Sequence, residues 1–150
     1  MQEPEIVGGT PAASGARRVL VADADPAIRL MCSTWLTLDG YDVIEAANGQ
    51  EALELARTEA PDLVLLDLSM PVLDGFVVAA ALRADERTRE LPLVVLSGEA
   101  GPHVAEHVYE MGAAGYFTKP FDPGTVARFV RRVIAEVTGG NGSVSAGNAV

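Results

Sequence analysis

Residues 63–71 read Leu-Val-Leu-Leu-Asp-Leu-Ser-Met-Pro, an unbroken apolar run that stops on a carboxylate. Four consecutive apolar residues suit a strand covered on both faces, as in a parallel sheet flanked by helices, and turn chemistry follows at once in Ser69, Pro71 and Asp74-Gly75. Asp67 is therefore expected where that strand ends. In open α/β sheets ligands bind outside the carboxyl ends of the strands, so an acid placed there can meet solvent, metal or substrate. The plainer reading of the same residue is a loop cap.

The pattern repeats along the chain. Val19-Leu20-Val21-Ala22 ends on Asp23, and Asp25-Pro26 supplies a helix cap and first helical position. Ile28, Met31, Trp35 and Leu38 follow at helical spacing, which makes Trp35 a core residue rather than a cofactor platform, and Asp39-Gly40 closes the helix. Residues 41–46 read as a second strand. Asn48-Gly49-Gln50-Glu51 resembles a capping box ahead of a helix that turns Leu53 and Ala56 inward and stops at Pro61. After Asp74-Gly75 a third helix is expected over residues 76–82, with a charged continuation to Glu90. Leu93-Val94-Val95-Leu96 is a strand delivering Ser97-Gly98 at its end. Residues 102–111 form a helix whose His103 and His107, four apart, read better as part of a solvated face than as metal ligands. Tyr116-Phe117-Thr118 is a last strand ending on Lys119-Pro120. Residues 123–137 form an amphipathic helix with Val126, Phe129, Val130, Val133, Ile134 and Val137 on one stripe and Arg128, Arg131 and Arg132 opposite.

Five strands alternating with five helices predict a parallel sheet with helices on both faces. Residues 1–16 and 138–150, rich in Gly, Ala and Ser, are expected as a flexible arm and tail around a domain spanning 17–137. Eleven basic against twenty-one acidic residues, a net charge of −10 over 150 residues, argue against direct nucleic-acid binding. A single cysteine, Cys32, excludes a disulfide framework and points to a reducing compartment. No stretch approaches the roughly 18 apolar residues of a membrane span. A cytoplasmic location and no membrane partner are the corresponding expectations.

Asp23, Asp67, Ser97 and Lys119 all fall at strand ends that share one sheet edge. Two carboxylates, a hydroxyl and an ammonium there are what a phosphoryl group with a hard divalent cation requires. Taken together, Val21-Ala22-Asp23, the block from Leu65 to Gly75, Val95-Leu96-Ser97-Gly98 and the block from Gly115 to Phe121 resemble the receiver domain of two-component response regulators. The resemblance implies a flavodoxin-like (βα)5 doubly wound sheet of strand order 2-1-3-4-5.

It also implies roles. Asp67 is similar to the aspartate that accepts a phosphoryl group from a sensor histidine kinase or phosphotransfer protein. Ser97 and Lys119 correspond to the residues that bind the phosphoryl oxygens, and Tyr116 to an aromatic switch. Mg²⁺ is expected on Asp23, Asp67 and the backbone carbonyl of Ser69. The resemblance suggests a cis bond between Lys119 and Pro120, and an output face on the last two helices and last strand that a downstream protein reads, the chain itself being a monomer or weak homodimer. Nothing after Val137 reads as a DNA-binding helix-turn-helix. The family is a signalling module rather than an enzyme.

One position departs from the family: the second of its paired acids is Ala24 here. A methyl cannot ligate Mg²⁺, so weaker metal binding is expected. Asp25 is a less favoured substitute, because helix capping competes for its carboxylate. Two alternatives stand beside phosphoacceptance. One is a degenerate receiver that binds partners without phosphorylation. The other is a magnesium-dependent phosphatase with an aspartate nucleophile, although such enzymes carry a second Asp where this chain has Ser69.

Overall fold

Continuous apolar strands can be buried only if both faces of the sheet are covered, and the chain meets that demand with five βα units. The computed structural model describes residues 15–99 and 101–138. The strands are β1 (Arg18–Ala22), β2 (Asp42–Ala46), β3 (Leu63–Asp67), β4 (Leu93–Ser97) and β5 (Gly115–Thr118). The helices are α1 (Pro26–Leu38), α2 (Gly49–Glu59), α3 (Gly75–Ala84), α4 (Pro102–Glu110) and α5 (Pro123–Thr138). All neighbouring strands pair in parallel, in the order β2-β1-β3-β4-β5. This is the expected doubly wound order. The arm and tail expected at residues 1–16 and 138–150 lie outside the described residues except for Gly15, Ala16 and Thr138.

Alternation within the apolar runs sorts the core into two layers. Leu20, Ala22, Val64, Leu66, Leu93 and Val95 face α2, α3 and α4, where Ala52, Leu53, Ala56, Val78, Ala79, Leu82 and Val108 receive them. Val19, Val21, Leu63, Leu65, Val94, Leu96 and Phe117 face α1 and α5, against Cys32, Leu36, Val126, Phe129, Val130 and Val133. Each Val, Leu or Phe among them contributes about 1.5–3 kcal/mol on burial.

Local chemistry starts the helices where it was expected. Asp25 Oδ1 accepts the Ala27 N–H at 2.9 Å, with Pro26 in the first turn. Asn48 Oδ1 accepts from Glu51 at 2.8 Å, while Glu51 reaches back to the Ala47 N–H at 2.6 Å. Asp74 caps α3 through the Val77 N–H.

Three expectations are corrected. Trp35 is 42% exposed and Leu38 76%, because the face that α1 turns to the sheet is set by Cys32 and Leu36. Trp35 instead lies against the start of α5, where a Cβ on Gly124 would approach Trp35 Cζ3 to 3.1 Å. The charged continuation of α3 is not helical: the helix stops at Ala84, the Asp85 side chain turns back on the Arg87 N–H at 2.9 Å, and the buried Thr88 hydroxyl donates to the Leu82 carbonyl at 2.7 Å. Val137, at the end of the α5 stripe, is half-exposed.

At the amino-terminal edge of the sheet Arg83 acts as a clamp. Its guanidinium donates to the carbonyls of Arg89, Leu91, Met111 and Gly112 at 2.7–3.2 Å, and burial lowers its pKa. The opposite edge is tuned by backbone conformation. Val72, in the loop from β3 to α3, has φ +71° and is exposed. A β-branched side chain there is strained, and no packing offsets the cost. Val72→Gly is therefore expected to stabilise the fold by roughly 0.5–1 kcal/mol after the entropy cost of glycine. Urea unfolding checks it through a higher midpoint at unchanged slope.

Candidate functional site

Parallel register decides which residues meet. Ala22 pairs with Leu66, so the next residues along, Asp23 and Asp67, stand side by side at the carboxyl edge. Leu96 pairs with Asp67 and Ser97 with Thr118, which brings Ser97 and Lys119 to the same rim. Asp23 and Asp67 are 1% and 2% exposed. Two carboxylates this deep need a counter-charge.

Lys119 supplies it. Its Nζ lies 2.8 Å from Asp23 Oδ2 and 3.4 Å from Asp67 Oδ1. The Lys119–Pro120 peptide is cis, as the sequence suggested. Backbone donors do the rest: the Asp25 N–H reaches Asp23 Oδ1 at 2.9 Å, and the Ser69 N–H reaches Asp67 Oδ1 at 3.1 Å. Close approach of α3 to the end of β3 demands a glycine, since a Cβ on Gly75 would come within 2.5 Å of the Asp67 carbonyl oxygen. Gly49 is confined in the same way by the Leu73 carbonyl.

Burial raises the pKa of Asp67; the Ser69 N–H opposes this, Asp23 adds to it, and Lys119 again opposes it. For Lys119 burial works downward, but Asp23 and Asp67 outweigh it and the pKa is raised. Asp67 is thus costly to hold ionised, and the ammonium is held charged.

Ser97 is buried at the rim, and its hydroxyl donates to the Glu99 carbonyl at 2.8 Å while accepting the Glu99 N–H at 3.0 Å. In this arrangement it closes its own loop rather than touching Asp67. Tyr116 is half-buried, pairs in register with Val95 and packs against the α2–α4 layer. Asp25 is exposed and spends Oδ1 on the α1 cap. Ala24 is exposed and offers no donor.

The donors suit a hard cation. Two carboxylates and the Ser69 carbonyl are all oxygen, and the one partner of the buried Asp23 Oδ2 is the mobile Lys119 ammonium at 2.8 Å. Among the described residues no group of three or more His, Cys, Asp or Glu side chains could hold a metal, so water would complete any coordination shell. The rings of His103 and His107 lie 5.3 Å apart, tilted by 59°, with Phe76 edge-on to His107.

Sequence reasoning named the four strand-end residues but passed over Arg29. Its Nη1 donates to the Asp23 carbonyl at 2.7 Å and to that of Ala24 at 3.4 Å. The signal was available only as a basic residue one turn into a helix that starts at the site.

Because Asp67 is a buried acid whose pKa is raised, ionisation opposes folding. The penalty is absent below pH 3.8, grows as pH rises through the unfolded and then the folded pKa, and is complete above the latter. Asp67→Asn is therefore expected to raise the urea midpoint at pH 7, with the gain vanishing at acid pH.

Residues 19–131 match the model of the response regulator receiver domain. The chain is 39% identical over 117 residues to the DNA-binding dual master transcriptional regulator RpaA of Synechocystis, covering 78% of this chain and 48% of that protein. It is 39% identical over 106 residues to the transcriptional regulatory protein PdtaR of Mycobacterium tuberculosis, covering 70% and 50%. The chain thus spans about half the length of these curated relatives. Among solved structures, Vibrio cholerae chemotaxis protein CheY4 superposes with a TM-score of 0.74 at 35% identity over 79% of this chain and 98% of that one. The receiver domain of a Pseudomonas aeruginosa sensor histidine kinase, which carries a magnesium ion in its active site cleft, gives 0.73 at 28% identity over 80% and 98%.

Proposed function

The chain belongs to the response regulator receiver family, and from that premise we propose that Asp67 accepts a phosphoryl group from a phosphohistidine donor, a sensor histidine kinase or phosphotransfer protein. The observation that carries this reading is the shared contact of Lys119 with Asp23 and Asp67 at the sheet rim.

Asp67 Oδ1 is held by the Ser69 N–H and Lys119, which leaves Oδ2 to attack. The bond from phosphorus to the histidine nitrogen breaks, a phosphorus–oxygen bond to Oδ2 forms, and the electron pair leaves with the imidazole, which takes up a proton. Lys119 then pairs with the transferred oxygens. The Ser97 hydroxyl joins it by exchanging its Glu99 partner for a phosphoryl oxygen, and the space it vacates is the cue for Tyr116 to turn inward. A magnesium ion would be held by the Asp23 and Asp67 carboxylates and the Ser69 carbonyl, and it supplies charge neutralisation for the phosphoryl oxygens. The surface of α4, β5 and α5 is the face through which a downstream protein reads the change.

Ala24 supports a second reading. A site that has exchanged one metal ligand for a methyl suits a receiver that signals by binding alone, with Asp67 unmodified.

Intact-mass measurement after incubation with a small phosphodonor and Mg²⁺ separates them. One added phosphoryl group, absent in Asp67→Asn, is expected; an unchanged wild-type mass overturns phosphoacceptance. Ala24→Asp restores a carboxylate and is expected to lower the half-saturating Mg²⁺ concentration about tenfold, read from the fluorescence of Trp35.

A further inference from the structure

Arg29 stands one turn into α1 with its side chain mostly covered, 18% exposed. Its guanidinium bridges two elements. On one side it grips the carbonyl of Asp23 at 2.7 Å and reaches that of Ala24 at 3.4 Å. On the other its Nε lies 3.2 Å from Glu45 Oε1 on β2, and Glu45 Oε2 accepts the Ser33 hydroxyl at 3.0 Å. The grip fixes the peptide that carries Asp23, whose carboxylate is meanwhile held at Oδ1 by the Asp25 N–H and at Oδ2 by Lys119.

The charges follow from this placement. Asp23 and Asp67 carry two negative charges at the rim and Lys119 one positive. Position 24 contributes none. Arg29, bonded to the backbone of both Asp23 and Ala24, brings a second fixed cation to the edge of the acid pair, and Glu45 offsets it from the outer side. A guanidinium that cannot lose its proton acts there at every working pH.

We propose that Arg29 is a positioning residue that sets the cation affinity of the acid site. It orients Asp23 through the backbone, its positive charge disfavours a divalent ion beside Asp23, and Glu45 moderates that effect. The proposal rests on the reading of Asp23 and Asp67 as ligands of a divalent cation. It makes Arg29 and Glu45, acting in opposition, determinants of cation affinity beside the methyl of Ala24.

A structural brace and an electrostatic regulator differ in sign. If the Arg29–Glu45 pair only braces the loop, losing either partner loosens Asp23 and weakens cation binding in both cases. If the pair regulates by charge, the variants move apart. Mg²⁺ is titrated without phosphodonor, following Trp35 fluorescence, with circular dichroism melts confirming that each variant is folded. Arg29→Gln is expected to lower the half-saturating Mg²⁺ concentration about threefold at low salt, and Glu45→Gln to raise it about twofold. Arg29→Lys, which keeps the charge, stays close to wild type. Raising the salt shrinks both shifts, as screening requires. Shifts in the same direction, shifts indifferent to salt, or no saturable response in wild type and both variants overturn the proposal. Opposite shifts in a chain that takes up no phosphoryl group would sink phosphoacceptance and leave this inference standing.

Discussion

Two buried carboxylates held beside one ammonium are the constraint to which the rest of the molecule answers. Like charges withdrawn from water repel each other and lose solvation, and a lone lysine offsets only part of that cost. The parallel register brings Asp23 level with Asp67, so the pairing is a property of the sheet and not of loop conformation. The helices contribute as well. In βα units the amino ends of the helices gather at the carboxyl edge of the sheet, so the positive ends of α1 and α3 face the acids. Oriented N–H groups from Asp25 and Ser69 do the close work. The core on either face is then what holds an unfavourable cluster together, which is why so many strand residues are wholly buried.

Much of this could be read from residue types alone, because a βα unit writes its signature locally. Apolar runs of four with a polar residue at the end gave β1, β3 and β4, and Asp25-Pro26 and Asn48 marked helix starts by chemistry confined to a few residues. What escaped was whatever depends on distant partners. Trp35 has helical spacing with Ile28, Met31 and Leu38, yet Cys32 and Leu36 face the sheet; spacing defines a stripe but not which stripe the core selects. The stretch after Ala84 has helical composition, but the Asp85 side chain and the Thr88 hydroxyl satisfy backbone groups in a turn instead. Asp74-Gly75 looked like an ordinary turn, whereas Gly75 is required by the backbone of β3 lying against it. Arg29 carried no mark in sequence, since its importance lies in two carbonyls and a carboxylate on other elements.

The site's geometry is unequal in a way that matters. Lys119 lies closer to Asp23 than to Asp67, so its stronger contact is with the acid that the proposed chemistry keeps and its weaker one with the acid that reacts. On that proposal an incoming phosphoryl group would take over a loose contact instead of breaking a tight one. Ser97 is placed similarly, with its hydroxyl engaged by the loop at Glu99 and free to change partner at the cost of one neutral hydrogen bond, about 1 kcal/mol.

Ala24 changes the balance of such a site without dismantling it. An acid there would add a ligand and a negative charge, tightening a divalent cation and increasing repulsion within the acid cluster. The methyl removes both effects, and the ammonium of Lys119 then faces two carboxylates instead of three. A receiver built this way has less charge for a metal to neutralise and less repulsion for the fold to contain. On the proposed chemistry, the transferred phosphoryl group would bring its own negative charge to a rim where Lys119 already lies against both acids. On the proposed reading, cation affinity and stability of the unmodified state are then coupled: the charge whose absence would weaken a divalent cation is the same charge whose absence lowers the cost of keeping Asp23 and Asp67 buried together.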